Sequence, residues 1–502
     1  LRWAEDGTAK KKDRAIYRLD GGGLPVLFGV HSNNMANLRR GVVERVMGIA
    51  VDGRIVLPPT PEAGAWNGSW LREFSVDLCR RVGKLQPGTY AQFLQLYDGD
   101  RRQRIYEEAV NSLLFKPLTP ADAICSTFVK CEKLNLSKKP DPAPRVIQPR
   151  TPRYNASVGR YLKKLEKKVC QAIGHIFGGP TVMKGYNALE TAQHMRQMWD
   201  SFDDPVALML DAARFDQHVS RAALEYEHEI YNWVYNRDSE LAGLLRMQLR
   251  NTGLARTPEG KLKYEVDGCR MSGDMNTSLG NCLLMCAMVW ALGKQCGVRL
   301  RLANNGDDCC IICNRTDLAR LTAAIPSHFK KLGFTMEVEP PVYVFEEIDF
   351  CQTHPVWRGD AWIMCRDPRV ALAKDCHTVL PMRQRGSHAA YCKAVGDCGM
   401  ALGSKLPVMQ EFYRSLQRSG GSNPSTHQTI AESGFARLAS GMISHAGDVS
   451  DAARVSFWRA FGLMPWHQEI LEKHYAATHY RPEVCRREVR SPDFTLATGL
   501  FC

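Results

Sequence analysis

Val298-Arg-Leu-Arg-Leu-Ala-Asn-Asn-Gly-Asp-Asp-Cys-Cys-Ile-Ile-Cys313 is the stretch around which the chain is organised. Two short runs rich in β-branched residues, Leu and Cys flank Asn304, Asn305 and Gly306, residue types that tolerate positive φ. The pattern predicts a β-hairpin with its turn near Gly306. Asp307 and Asp308 then stand together at the tip. Two carboxylates about 4 Å apart repel by roughly 4 kcal/mol at an effective dielectric near 20, so one tends to stay protonated. A divalent cation removes that penalty. Hard cations such as Mg²⁺ prefer carboxylate oxygen, and two of them can clamp the attacking and leaving oxygens of a phosphoryl transfer. A surface turn with two solvated acids fits the same three residues, so the rest of the chain has to decide.

At 502 residues the chain exceeds one ordinary domain, and 44% hydrophobic with 24% charged residues is a globular composition. The 66 Lys and Arg outnumber the 53 Asp and Glu, for a net charge of +13. That excess points to an anionic partner without separating nucleic acid from a membrane surface. Of the 18 cysteines, Cys310 and Cys313 form a Cys-x-x-Cys inside the predicted strand, with no second pair at zinc spacing. Buried free thiols in a reducing compartment account for them better than a metal site. The charged opening Leu1-Arg-Trp-Ala-Glu-Asp does not read as a signal peptide, and the longest apolar run, 282–292, reads as too short to span a bilayer. With Leu1 in place of an initiator Met, the chain reads as a fragment, a processed product or the downstream part of a longer product.

Taken in order, residues 1–27 read as an irregular lead-in and 51–70 as a proline-rich loop, with helices over 34–47, 70–83, 89–97 and 101–114. The segment 128–168 carries 12 Lys and Arg against 3 acids. Within it, 128–133 and 145–150 read as extended, and Pro140, Pro142, Pro144, Pro149 and Pro152 hold the chain open. Stiff basic strands keep cations in place at little entropic cost, which suits a triphosphate or a phosphate backbone. Val206-Ala-Leu-Met-Leu210 is a buried-type strand ending at Asp211, and Asp216 starts the turn before a helix from Ser220. An acid at the C-terminal end of a central strand sits at a ligand-binding rim, although Asp216 serves equally well as a capping acid. Ser272-Gly-Asp-Met-Asn-Thr-Ser-Leu-Gly-Asn281 is a loop running into an apolar helix, with Thr277 and Asn281 on one face. Beyond the hairpin, a helix from Leu318 meets Pro326 as a break or kink, and a strand follows at 335–339. Runs at 350–356, 362–366 and 370–372 suggest a small antiparallel sheet, and helices are predicted near 385–401, 404–418, 426–444, 450–462 and 465–477.

A basic proline-stiff segment, a strand ending Asp-x4-Asp, a Ser-Gly loop into a Thr-x3-Asn helix and a Gly-Asp-Asp hairpin is the order of motifs F, A, B and C in template-directed polymerases. The chain resembles the RNA-dependent RNA polymerases of positive-strand RNA viruses, most closely the tombusvirus-like group. Phe28-Gly-Val-His31, Phe128-Val-Lys-Cys-Glu-Lys133, Pro144-Arg-Val-Ile-Gln-Pro-Arg150, Thr181-Val-Met-Lys-Gly-Tyr-Asn187, Phe350-Cys-Gln-Thr-His-Pro-Val356, Pro368-Arg-Val-Ala-Leu-Ala-Lys-Asp375 and Ala453-Arg-Val-Ser-Phe-Trp-Arg-Ala-Phe-Gly-Leu-Met-Pro465 carry the likeness.

The resemblance implies a mixed α/β closed right hand whose palm is an antiparallel sheet flanked by helices and whose thumb is mostly helical. Fingers would span 1–204, with an insertion at 226–265 and an N-terminal segment bridging to the thumb. The palm would hold 205–225 and 266–375, and the thumb 376–502. Asp211, Asp307 and Asp308 would be the catalytic and metal-binding acids, with Mg²⁺ or, as a substitute, Mn²⁺. Lys130, Lys133 and Arg145 would line the nucleotide channel, with Glu132 orienting them and Arg150 a weaker member. Asp216, Thr277 and Asn281 would read the ribose 2′-hydroxyl, Ser272 and Gly273 would make the loop mobile, and Lys184 and Gly185 would contact RNA. The implied partners are template and nascent RNA, nucleoside triphosphates, a viral auxiliary replication protein and a host membrane reached through other segments. The implied place is the host cytoplasm at membrane-associated replication complexes. Two rivals remain. A reverse transcriptase would carry an aromatic gate at Asp216 and a hydrophobic residue at Gly306, and a non-catalytic RNA-binding protein would need only the positive charge.

Overall fold

Val206-Ala-Leu-Met-Leu210 becomes the heart of a four-stranded sheet in the computed structural model, which describes residues 2–4, 14–20, 25–51, 54–99, 102–382, 386–421, 434–443 and 446–490. The strand Pro205–Ala212 lies between Asp308–Asn314 and Met336–Val338, with Leu300–Asn305 outermost. All three pairings are antiparallel. Both faces of this sheet are covered, which is why its sequence is continuously apolar rather than alternating. Val206, Leu208, Leu210, Ile311 and Cys313 face one core, which they share with the helices Pro152–Phe177, Arg221–Val234, Thr277–Cys296 and Leu318–Lys331. Ala207, Met209, Cys310 and Ile312 face a second core, built with the helices Ala188–Trp199, Ser387–Gly403, Met409–Gly420 and Asp451–Phe461. The mixed α/β class and the helix-flanked antiparallel sheet therefore agree with the sequence reading.

A second, five-stranded sheet runs in the order Arg2–Ala4, Gly260–Asp267, Arg250–Thr257, Cys125–Val129, Val146–Ile147. It joins the start of the chain, the basic segment and a hairpin over 250–267 that sequence patterning did not reveal. Nor is the lead-in irregular where it is described. Ile16–Asp20 forms the middle strand between His377–Thr378 and Arg481–Cys485, tying the start of the chain to its last quarter.

Three further expectations need correction. The basic segment is not open beyond Pro149, because Pro152–Phe177 is a helix of 26 residues. Pro152 occupies its first turn, where no amide donor is needed, and the Thr151 side chain accepts from the Tyr154 amide. Tyr154, Val158, Tyr161, Leu162, Leu165 and Val169 are buried along one stripe, so Lys163, Lys164, Lys167 and Lys168 ride the other side. Residues 370–372 are helical, not extended. Asp367 caps the helix Pro368–Asp375 by accepting from the Arg369 amide, leaving only Thr353–Trp357 and Trp362–Arg366 in the small sheet. Pro326 does not break its helix, which runs Leu318–Lys331 with Leu321, Ile325 and Phe329 fully buried.

The apolar run at 282–292 belongs to the 20-residue helix Thr277–Cys296. That helix has the length and composition to cross a membrane, but it is buried in the protein along most of its length. Of the helix expected near 426–444, residues 426–433 and 444 lie outside the described residues, and Gly434–Leu438 is helical. Every cysteine whose side chain is described is a free thiol, as expected.

Candidate active site

Gly306 takes φ +94, the only positive φ in its turn, and Asn305 pairs with Asp308 across a two-residue connection. The Asn304 side chain holds this tight turn from below, accepting from the Gly306 amide at 3.2 Å and donating to its carbonyl at 2.8 Å. The adjoining strand then delivers the acids. Asp308 is the direct cross-strand partner of Asp211, and on the other side Glu337 is also paired with Asp211. Directly opposed residues share a face at about 5 Å between Cβ atoms, so three carboxylates stand in a row across the sheet. Like charges opposed in this way destabilise one another. Burial and then Asp307 and Asp211 push the Asp308 carboxyl up to about 6, while burial and then Glu337 raise Asp211. The Cys351 thiol, in a hairpin turn where Cys351 and Gln352 both have positive φ, sits against Asp308 and accepts from Asn305 at 3.1 Å.

Such a donor set suits a hard divalent cation in kind: carboxylate oxygens, close-set and in mutual repulsion. Among the described residues, however, no three His, Cys, Asp or Glu side chains already converge on one ion position. Rotation of the carboxylates about their χ angles would have to complete such a site.

Beside the acids lies a cavity of about 840 Å³. Asp307 is at its edge, and Arg45, Arg145, Lys163, Lys184 and Arg214 bring cations to its wall. Arg45 rides a π-helical turn, Val43–Met47, that ends the helix Met35–Val42. Arg214, with φ +49 inside the Asp-x4-Asp run, donates to the Glu44 and Gly48 carbonyls and so fixes that turn against the cavity. Burial, followed by the neighbouring Arg214 and Arg145, lowers Arg45 to about 10. A cluster of cations that repel one another in a polar cleft is a receptacle for polyanions. Sequence reading passed over Arg45, Lys163, Arg214 and Glu337 as site residues. The clearest signal available for Arg214 was its place between two acids already singled out.

Five of the expected residues, Asp216, Ser272, Gly273, Thr277 and Asn281, line the cavity together. Asp216 accepts from the Ser272 hydroxyl and, at 2.7 Å, from the Asn281 side-chain amide. Burial raises its pKa, against the pull of those two hydrogen bonds. Thr277 lines the cavity too, but its hydroxyl donates to the Met271 carbonyl at 3.0 Å and so braces the loop. Gly273 has φ +138, and a Cβ there would lie 2.8 Å from the Pro149 nitrogen. The 272–273 loop is therefore pinned to the basic segment, with Gln148 donating its amide to the Ser272 carbonyl at 2.7 Å.

The basic segment divides. Lys130 and Arg145 both pair with Glu132, at 3.1 and 3.4 Å, and remain partly exposed. Lys133 and Arg150 are turned to other work, contrary to expectation. The Lys133 ammonium donates to the Lys374 and His377 carbonyls at 2.5 and 2.6 Å, and burial lowers its pKa to about 8. Arg150 is 3% exposed and spends its donors on Asp274, Asn251 and the Ala123 carbonyl. Neither lines the cavity. Lys184 does, donating to the Ser278 hydroxyl at 2.7 Å beside Gly306, because 181–183 bonds along the strand at Asn304. Lys184 and Gly185 also border a neighbouring groove of about 670 Å³ against the helix Pro152–Phe177.

The sequence matches the family model described as viral RNA dependent RNA polymerase over residues 2–482. The chain belongs to this family. Among curated relatives, the RNA-directed RNA polymerase of tobacco necrosis virus (strain A) is 46% identical over 93% of this chain and 64% of its own length. Those of melon necrotic spot virus and turnip crinkle virus are 44% and 42% identical over 93% and 92% of this chain. They are covered over 59% and 60% of their lengths, so the chain spans about three-fifths of such family members.

Proposed function

We propose that the chain synthesises RNA on an RNA template, using the Asp211, Asp307 and Asp308 rim to join nucleotides. The observation that carries this reading is the register placing Asp308 opposite Asp211, with Asp307 at the edge of a cation-lined cavity. A reverse transcriptase is disfavoured, since Asp216 stands where an aromatic gate would be and Gly306 precedes the paired acids.

In this reading a 3′-hydroxyl attacks the α-phosphate of a nucleoside triphosphate and pyrophosphate leaves. Little covalent work falls to the protein, so position and charge dominate. Asp211, Asp307 and Asp308 would hold Mg²⁺ or Mn²⁺, which would supply charge neutralisation and a more acidic 3′-hydroxyl. Arg45, Arg145 and Arg214 meet the triphosphate charge, with Lys130 and Glu132 at the entrance. Asp216, Ser272 and Asn281 receive the ribose 2′-hydroxyl, while Thr277 and Gly273 hold the loop that presents Ser272. Lys184 and Gly185 face the template.

The architecture proposed is a closed right hand: fingers at 1–204 and 226–265, palm at 205–225 and 266–375, thumb at 376–502. Support comes from the start of the chain, which supplies an edge strand to the five-stranded sheet and a middle strand between 377–378 and 481–485. The remaining partners of this proposal are an auxiliary viral replication protein and a host-membrane replication complex in the cytoplasm.

The test is RNA synthesis on a defined template with Mg²⁺, comparing the native chain with Asp211→Ala and Asp307→Ala. Removing a metal-holding acid costs several kcal/mol of transition-state stabilisation, at least about a hundredfold in rate. Undiminished incorporation by either variant would overturn the assignment.

A further inference from the structure

We infer that Arg270, anchored by Glu227, is a positioning residue for sugar selection: it dictates which end of the Asn281 amide faces Asp216. The inference rests on the reading that Asp216 and Asn281 receive the 2′-hydroxyl.

Arg270 enters from the loop before the Thr277–Cys296 helix, and its side chain and that of Glu227 are both 0% exposed. Its Nε donates to the Asn281 Oδ1 at 3.1 Å. The opposite end of that amide, Nδ2, donates to Asp216 Oδ1 at 2.7 Å. A guanidinium carries donors only and an ionised carboxylate acceptors only. Flipping the amide would set NH₂ against guanidinium and oxygen against carboxylate, replacing two hydrogen bonds by two repulsions. Arg270 therefore makes Asn281 a donor toward Asp216 in one fixed sense.

Arg270 is itself held from behind. Its two terminal nitrogens pair with the two Glu227 oxygens. Glu227 also accepts from Asn276 at 2.7 Å, and Gln248 donates to Asn276 at 3.0 Å. The approach requires glycine at 280, since a Cβ there would lie 2.3 Å from an Arg270 nitrogen and 2.5 Å from Glu227. None of these supporting side chains needs to touch a nucleotide. Their effect is to keep the Asp216–Asn281 pair in the one arrangement that a 2′-hydroxyl, as donor and acceptor, can join.

The experiment measures kcat/KM for a ribonucleoside triphosphate and its 2′-deoxy analogue on one RNA template. A merely structural role for Arg270 lowers both values together and leaves their ratio fixed. The inference expects Arg270→Lys, which keeps the charge but loses the directed Nε donor, to cut the ribo-to-deoxy ratio by about tenfold. It also expects Arg270→Lys added to Asn281→Ala to change the ratio no further than Asn281→Ala alone. If Arg270→Lys does not yield folded protein, Glu227→Gln reads the same ratio. An unchanged ratio in the Arg270 or Glu227 variant, with a lowered ratio in Asn281→Ala, overturns the inference and leaves the sugar reading standing. An unchanged ratio in Asn281→Ala overturns both.

Discussion

Replacing Gly280 by Ala sets two effects of opposite sign against each other. In a helix interior Ala is favoured over Gly by about 1 kcal/mol, because Gly loses more backbone freedom on folding, and Gly280, in the first turn of Thr277–Cys296, would gain at most that much. Were helix propensity the whole story, Gly280→Ala would stabilise the protein. The space around Gly280 argues the reverse. The added Cβ would meet Arg270 at 2.3 Å and the two Glu227 oxygens at 2.5 and 2.6 Å, closer than real Cβ contacts come. Both side chains are wholly buried, so neither can swing into solvent to make room. Displacing the guanidinium loosens a buried ion pair, and breaking such a pair costs about 3–5 kcal/mol. The net expectation is a loss of about 2–4 kcal/mol. With unfolding entropy of about 2.1 cal/mol/K per residue, a chain of 502 residues shifts its Tm by about 1 °C per kcal/mol. Differential scanning calorimetry of Gly280→Ala beside the native chain should show a fall of about 2–4 °C. A rise in Tm would mean that the Arg270–Glu227 pair has slack and that the steric reasoning is wrong.

Other substitutions test the site and its frame. In Gly306→Ala the added Cβ would meet only ordinary contacts, Lys184 at 3.7 Å and Asn281 at 3.9 Å, but the residue keeps φ +94, so it should cost about 1–3 kcal/mol as backbone strain, with Gly306→Asn milder in the same melting assay. Because the folded-state pKa of Asp308 is raised from 3.8 to about 6, the folded protein binds more protons than the unfolded chain between those values, and stability falls as pH rises through them. Asp308→Asn should therefore gain on the native chain across that window and hold the gain above it. Excess Mg²⁺ near neutral pH should close the gap by stabilising the native chain, and a gap indifferent to both pH and Mg²⁺ would refute the acidic-row account. For Lys133 the shift is downward, from 10.5 to about 8, so the unfolded chain holds the extra proton in that window and stability rises with pH through it. Subtracting the pH profile of Lys133→Met should isolate that rise, and a flat difference would show that the ammonium is not desolvated.

The local chemistry of the site was legible in the sequence because the features that encode it are contiguous. Asn-Asn-Gly-Asp-Asp specifies a tight turn, and one apolar strand ending in Asp specifies a buried strand with an acid at its exposed end. Thr277 and Asn281 share a helix face by spacing alone. Patterning failed where a residue has two uses. Pro152 was read as an opener and is the first residue of a helix, and the apolar 370–372 run is too short to tell strand from helix without the Asp367 cap. Lys133 and Arg150 looked like channel cations because a linear count of charge cannot say which way a side chain points.

What the sequence determined by itself is the local elements that carry the site acids, and the family, since turn, cap and periodicity are interactions within a few residues and motif order is a property of the string. Which residues meet was decided only by tertiary structure. Strand register put Asp308 and Glu337 either side of Asp211. Packing brought the start of the chain to residues near its end and drew Arg45 and Arg214 to one cavity. Burial turned Arg270 and Glu227 into the frame behind Asn281. The reason is physical: a cation's role depends on what desolvates it and what accepts its hydrogen bonds, and those partners lie tens to hundreds of residues away.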